Sequence, residues 1–188
     1  MIKIGITGSI ASGKTTASKI VSGKKWPLFS ADQVVRKLYK KKSFKTIVSK
    51  KIGLRSYIQF KKKIRENILN NKRNLVIVEK IIHPIVRKEM FIFLKRNNKN
   101  KILIFEVPLL VENKLIKYFD KVIFIKSSKK LRLKRFKSKR GDVKLFNILD
   151  NKQIKDTKKM KFCDYVVVNN KTISVLKKKL FNIIKNYE

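Results

Sequence analysis

The chain has 188 residues, enough to bury one substantial core and expected to form a single domain, with at most a small appended lid. Hydrophobic residues make up 43% of it, which excludes a disordered basic tail despite a formal net charge of +38 from 50 basic and 12 acidic residues. The single cysteine, Cys163, excludes an internal disulfide and fits a reducing cytosol. No apolar run reaches the roughly 18 residues of a membrane span, so neither a membrane partner nor, since Met1-Ile2-Lys3 runs straight into a strand-like segment, a signal peptide is expected.

In chain order, residues 2–7 read as a first strand and residues 14–22 as a helix. Residues 26–29 form a short strand candidate, and residues 32–72 read as helices broken near Gly53. Residues 75–97 carry Ile82, Val86, Met90 and Phe93 on one helical face, with Pro84 expected to kink or interrupt them. Residues 101–107 and 121–125 are buried-strand runs, and residues 128–160 are basic and helical with a break at Gly141. Residues 165–168 are the last strand, followed over 173–187 by an amphipathic helix with Ile173, Leu176, Leu180, Ile184 and Tyr187 on one stripe. This alternation predicts an α/β fold around a parallel sheet. The lysines are dispersed, with separate runs at 40–42, 61–63 and 177–179. Dispersed charge reads as solvated surface, so no specific nucleic-acid partner is expected, though non-specific attraction to polyanions is.

The strongest local signal is Gly8-Ser9-Ile10-Ala11-Ser12-Gly13-Lys14-Thr15, a G-x-x-x-x-G-K-[ST] phosphate loop between a strand and a helix. Gly8 and Gly13 permit backbone angles that aim successive N–H groups at phosphate oxygens, and the helix adds its positive N-terminal end. Lys14 suits the β- and γ-phosphates and the Thr15 hydroxyl a Mg²⁺ ion, so Gly8, Ala11, Ser12, Gly13, Lys14, Thr15 and Thr16 are the expected ATP contacts.

Carboxylates are scarce, which makes those at strand ends informative. Asp32 follows the second strand, where it either takes the proton of an attacking hydroxyl, holds Mg²⁺ through water, or caps a helix beginning at Gln33. Glu106 ends the third strand in the position of a metal-assisting acid; Glu112 is a second candidate for that place, but reads rather as a surface charge or a capping acid. Arg132 and Arg135 share a helical face and Arg140 precedes Gly141-Asp142; these are either cations for a transferring phosphoryl group or solvated surface. His83 reads as a packed residue, and no zinc-type spacing exists.

Together these motifs resemble the dephospho-coenzyme A kinase family. The phosphate loop through Thr16, Ser30-Ala31-Asp32 in place of an Asp-Ala-Asp motif, Glu79 with Ile82-His83-Pro84, Val107-Pro108-Leu109-Leu110-Val111-Glu112-Asn113, the lid-helix Arg135, and Gln153, Asp164 and Asn169 follow the family's order over nearly the whole chain. The resemblance implies a P-loop fold of three α/β/α layers with a five-stranded parallel sheet in the order 2-3-1-4-5, a helical substrate region at about 32–97 and a lid at about 128–160. It implies ATP-dependent phosphorylation of the 3′-hydroxyl of dephospho-CoA with Mg²⁺, by a cytoplasmic monomer. It assigns Asp32 as the base or acceptor-orienting acid, Lys14 to the phosphates, Arg135 and Arg140 as lid cations, Thr15 and Glu106 to the metal, and His83, Pro84, Pro108 and Leu109 to the acceptor pocket. The chain departs from the family at Ser30, which replaces an acid; at Ser9 and Ala11, which replace loop glycines; and in a shorter stretch between Tyr39 and Glu79. One extra lid residue leaves either Lys139 or Arg140 for the second arginine position. Two other readings stay open: another small-molecule or nucleoside monophosphate kinase of this fold, and a basic ATP-dependent nucleic-acid-binding protein.

Overall fold

The computed structural model describes residues 1–23 and 25–188. It divides into two compact units, one of Met1–Ser30 with Leu94–Glu188 and one of Ala31–Phe93.

The first unit holds a five-stranded parallel sheet of β1 (Ile2–Gly8), β2 (Leu28–Ser30), β3 (Ile102–Glu106), β4 (Lys121–Lys126) and β5 (Tyr165–Val168), in the order β2-β3-β1-β4-β5. β3 and β4 are nearly continuous runs of Ile, Leu, Val and Phe, as in strands covered by helices on both faces, while β1 alternates Ile with Lys3, Gly5 and Thr7. On one face Ile4, Ile6, Ile104, Ile123 and Ile125 pack against Ala17 and Val21 of α1 (Lys14–Ser22) and Leu176, Leu180 and Ile184 of α9 (Ile173–Ile184). Register brings Ile6 opposite Glu106, and Glu106 opposite Ser30, so one row across the sheet ends in polar residues at the carboxyl edge. Ligands of open α/β sheets bind at that edge. The basic segment forms α6 (Lys129–Ser138), α7 (Val143–Lys152) and α8 (Asp156–Met160). Ser128 and Asp142 cap the first two by accepting hydrogen bonds from Leu131 N and Leu145 N.

The second unit is helical: α2 (Ala31–Leu38), α3 (Lys42–Ile52), α4 (Phe60–Asn70) and most of α5 (Arg73–Arg96). Tyr39, Phe44, Tyr57 and Phe60 form an edge-to-face aromatic cluster with ring centroids 5.6–6.5 Å apart. No helix among the described residues is long and apolar enough to cross a membrane.

Several boundaries differ from those read in the sequence. The second strand lies at Leu28–Ser30, because it pairs residue for residue with Ile104–Glu106 of β3 and so extends to Ser30. α5 runs through Pro84 without ending; a proline removes one backbone donor, and the carbonyl left over belongs to Lys80, which is exposed and reachable by water. The last helix stops at Ile184, and Tyr187 instead places its hydroxyl 2.5 Å from that of Tyr165.

Candidate active site

The phosphate loop joins β1 to α1. Gly8 has φ 148° and Gly13 φ 102°, and a Cβ at Gly8 would lie 2.4 Å from Ile125 O, one at Gly13 2.2 Å from Asn169 Nδ2. Both glycines are therefore required twice, for torsion and for space. Ala11 also sits at φ 57°, which explains why a glycine suits that place in the family resemblance.

Lys14 is buried and donates from Nζ to Gly8 O at 3.0 Å and Ser9 O at 2.8 Å, so its ammonium folds over the mouth of the loop. Ser12 Oγ is buried and bonded to nothing among the described residues. Thr15 and Thr16 stand exposed on the first turn of α1, beside the loop. Thr15 Oγ1 donates to Glu106 Oε1 at 2.5 Å, and Ser30 Oγ donates to Glu106 Oε2 at 2.8 Å. Glu106 is 1% exposed, and each of its oxygens meets one hydroxyl. Two oxygen donors, a hydroxyl and a carboxylate, side by side at the loop are the chemistry that suits Mg²⁺.

The loop is braced from behind by the segment following β4. Arg135 donates to Ser12 O at 3.2 Å, Ser127 Oγ at 3.1 Å and Asn169 O at 3.0 Å, and Asn169 Nδ2 donates to Ser12 O at 2.8 Å. Arg132 is buried, ion-paired with Asp150, and donates to Ser127 O at 3.2 Å and Ile10 O at 3.4 Å. Gln153 Oε1 accepts from Ile10 N at 3.1 Å, and Asp156 accepts from Ser9 Oγ. Arg140 follows α6 in a left-handed conformation, φ 58°, and is exposed, as is Lys139. Pro108 and Leu109 open the turn after β3, and Thr7 Oγ1 donates to Pro108 O at 3.1 Å.

Thus the structure gathers the loop, Glu106, Arg135, Pro108 and Leu109 in the first unit. Asp32, His83 and Pro84 lie in the second. Asp32 is the second residue of α2, which begins before it at Ala31, so it is not the cap of a helix starting at Gln33. His83 is half-buried within α5. The second unit also carries a recess of about 550 Å³ lined by Tyr39, Tyr57, Phe60, Lys45, Lys61 and Arg65, rings beside cations. Glu112 is neither a surface charge nor a cap: it pairs with fully buried Lys159 at 2.5 Å. Arg132, read as a cation for the phosphoryl group or as solvated surface, is instead buried and paired with Asp150. Lys159, Asp150, Asp156 and the Ser30 hydroxyl were not singled out by the sequence as site partners. Among these, only the strand-end position of Ser30 carried a signal, because its neighbour Asp32 drew attention to the motif.

A profile of the family described as Dephospho-CoA kinase matches residues 2–174. The chain belongs to the dephospho-CoA kinase family. The dephospho-CoA kinase of Rickettsia typhi is 31% identical over 189 residues, covering 100% of this chain and 98% of that protein. That of Fusobacterium nucleatum is 32% identical over 183 residues, covering 94% of each. Among solved structures, the dephospho-CoA kinase from Campylobacter jejuni aligns with a TM-score of 0.67 at 23% identity, over 98% of this chain and 96% of that one. At that identity the likeness shows the fold. The Ser30 hydroxyl holds Glu106 by a hydrogen bond, where a carboxylate at that position would repel it.

Proposed function

We propose that the protein transfers the γ-phosphoryl group of ATP to the 3′-hydroxyl of dephospho-CoA, giving CoA and ADP. The observation that carries this is the phosphate loop with Lys14 at its mouth and Thr15 hydrogen-bonded to the strand-end Glu106, in a chain of this family. The loop amides and Lys14 hold the donor phosphates, and Lys14 exchanges its bonds to Gly8 O and Ser9 O for phosphate oxygens. Thr15 and Glu106 would hold Mg²⁺, which would supply positive charge for the donor phosphates. Asp32 orients the acceptor hydroxyl and takes its proton. Arg135 and Arg140 supply positive charge to the transferring group. Acceptor binding is assigned to His83 and Pro84 in the second unit and to Pro108 and Leu109 in the first, and the rings and cations of the recess in the second unit suit an organic anion such as the acceptor.

The test is an ADP-release assay comparing dephospho-CoA with nucleoside monophosphates and shikimate. Dephospho-CoA should exceed each of the others in kcat/KM by about 10²-fold or more, as binding groups remote from the reacting hydroxyl contribute to the transition state. Lys14→Ala should lower kcat by about 10²–10³-fold with an unchanged circular dichroism spectrum. Turnover of a monophosphate above that of dephospho-CoA, or near-normal turnover in Lys14→Ala, would overturn the assignment.

A further inference from the structure

Lys159 is fully enclosed, and its one ion-pair partner among the described residues is Glu112, itself 15% exposed, with Nζ 2.5 Å from Oε1. Neither group makes a further side-chain hydrogen bond among the described residues. A buried charge with a single partner is an expensive way to fill space, since apolar residues of similar volume often serve stability as well or better. What sets this pair apart is where its two ends are anchored.

Lys159 belongs to α8, a helix of five residues. The segment entering α8 grips the phosphate loop: Gln153 Oε1 accepts from Ile10 N and Asp156 accepts from Ser9 Oγ. Glu112 belongs to the turn after β3, whose first residues are Pro108 and Leu109. That turn is seated on β1 by the Thr7–Pro108 hydrogen bond and by Leu110, whose Cδ1 would lie 2.8 Å from a Cβ at Gly5. We propose that the Lys159–Glu112 pair is a positioning device, which through α8 ties the donor-side residues Ser9 and Ile10 to the turn bearing Pro108 and Leu109. The acceptor-side role of that turn rests on the function proposed above. In-line transfer is sensitive to misplacements of about 1 Å, and a charged pair of one fixed length holds such a separation better than two flexible apolar side chains.

The experiment compares the wild type with Glu112→Gln and with the double variant Lys159→Met/Glu112→Met. For each, the melting temperature, the affinity for a fluorescent ATP analogue, and kcat and KM for the acceptor are measured. The double variant should melt within a few degrees of the wild type, because no buried charge is left unpaired. Its kcat should nonetheless fall about tenfold or more, with ATP-analogue affinity kept within about threefold, a loss of alignment rather than of binding. Glu112→Gln, which keeps the shape and loses the charge, should show the same split between kcat and nucleotide affinity. A double variant with normal kcat overturns the proposal, as does one in which kcat, nucleotide affinity and melting temperature fall together. Should the double variant not fold, Glu112→Gln decides: normal kcat there overturns the tie. If the wild type turns over a different acceptor, the same comparison is made with that acceptor, so failure of the substrate assignment is read separately.

Discussion

Cys163 is the chain's one thiol, half-buried, with Sγ donating to Lys159 O at 3.3 Å. Burial pushes its pKa up to about 11; Asp164 and Glu112 push the same way, and Lys159 pulls it back. An acid whose folded pKa lies above its unfolded value of 9.0 ionises first in the unfolded chain. The stability it contributes is therefore present below about pH 9 and lost as pH rises towards about 11. Two outcomes follow at the level of this residue. A disulfide reagent at pH 8 should label the native protein far more slowly than the urea-unfolded chain, since the thiolate is the nucleophile. The wild type should also lose urea resistance relative to Cys163→Ala between pH 9 and about 11; parallel pH curves for the two would refute the shift. Single residues were legible in the sequence where a geometry demands one type, as at Gly8, Gly13, Lys14 and Thr15. They were not legible where the deciding partner is distant in the chain. Among 50 basic residues nothing marks Lys159 as enclosed, and Glu112 gains its meaning only from that lysine.

The elements α6 and α7 meet at a bend whose cause is local. Arg140 takes a left-handed turn, Gly141 N donates to Phe136 O at 3.0 Å, and a Cβ on Gly141 would come within 2.2 Å of the Phe136 ring. That ring in turn lies 5.5 Å from Phe146 of α7, which is completely buried. Gly141→Ala should therefore push Phe136 off Phe146 and destabilise the protein by about 1–3 kcal/mol in urea unfolding, the usual cost of overpacking. An unchanged midpoint would mean that the bend has room this geometry denies. The break at Gly141 was readable because glycine at a helix end has a backbone reason. Of the two outcomes expected at Pro84, a kink or an interruption, the interruption does not occur, because proline removes only one donor and a long helix with both flanks formed continues through it. The short β2 was placed two residues early at its start, since three residues carry too little pattern to set register without β3 beside them.

For the whole molecule, a formal charge of +38 on 188 residues sets a background of self-repulsion. Raising ionic strength from about 0.01 M to about 0.1 M shortens the screening length from about 30 Å to about 10 Å, and should raise the melting temperature. A melting temperature that falls with salt would show that the exposed pairs, such as Lys25–Glu188 and Lys62–Glu66, outweigh the repulsion. The strand order was expected from the family resemblance rather than from any strand's own pattern: alternation of β-like and helix-like segments indicates a parallel sheet, but pairings between distant strands leave no local trace.

Against that excess of lysine, at least six of the twelve acids have a defined task. Glu106 receives Thr15 and Ser30, Asp150 holds Arg132, Asp156 receives Ser9, Asp142 caps α7, Asp120 pairs with Lys3, and Asp164 accepts from Val122 N. The protein thus has abundant surface cations and few carboxylates, at least half of which are committed to a contact. Anyone wishing to make it less adhesive to polyanions has wide freedom to exchange exposed lysines for glutamine, and very little freedom to move an acid from where it stands.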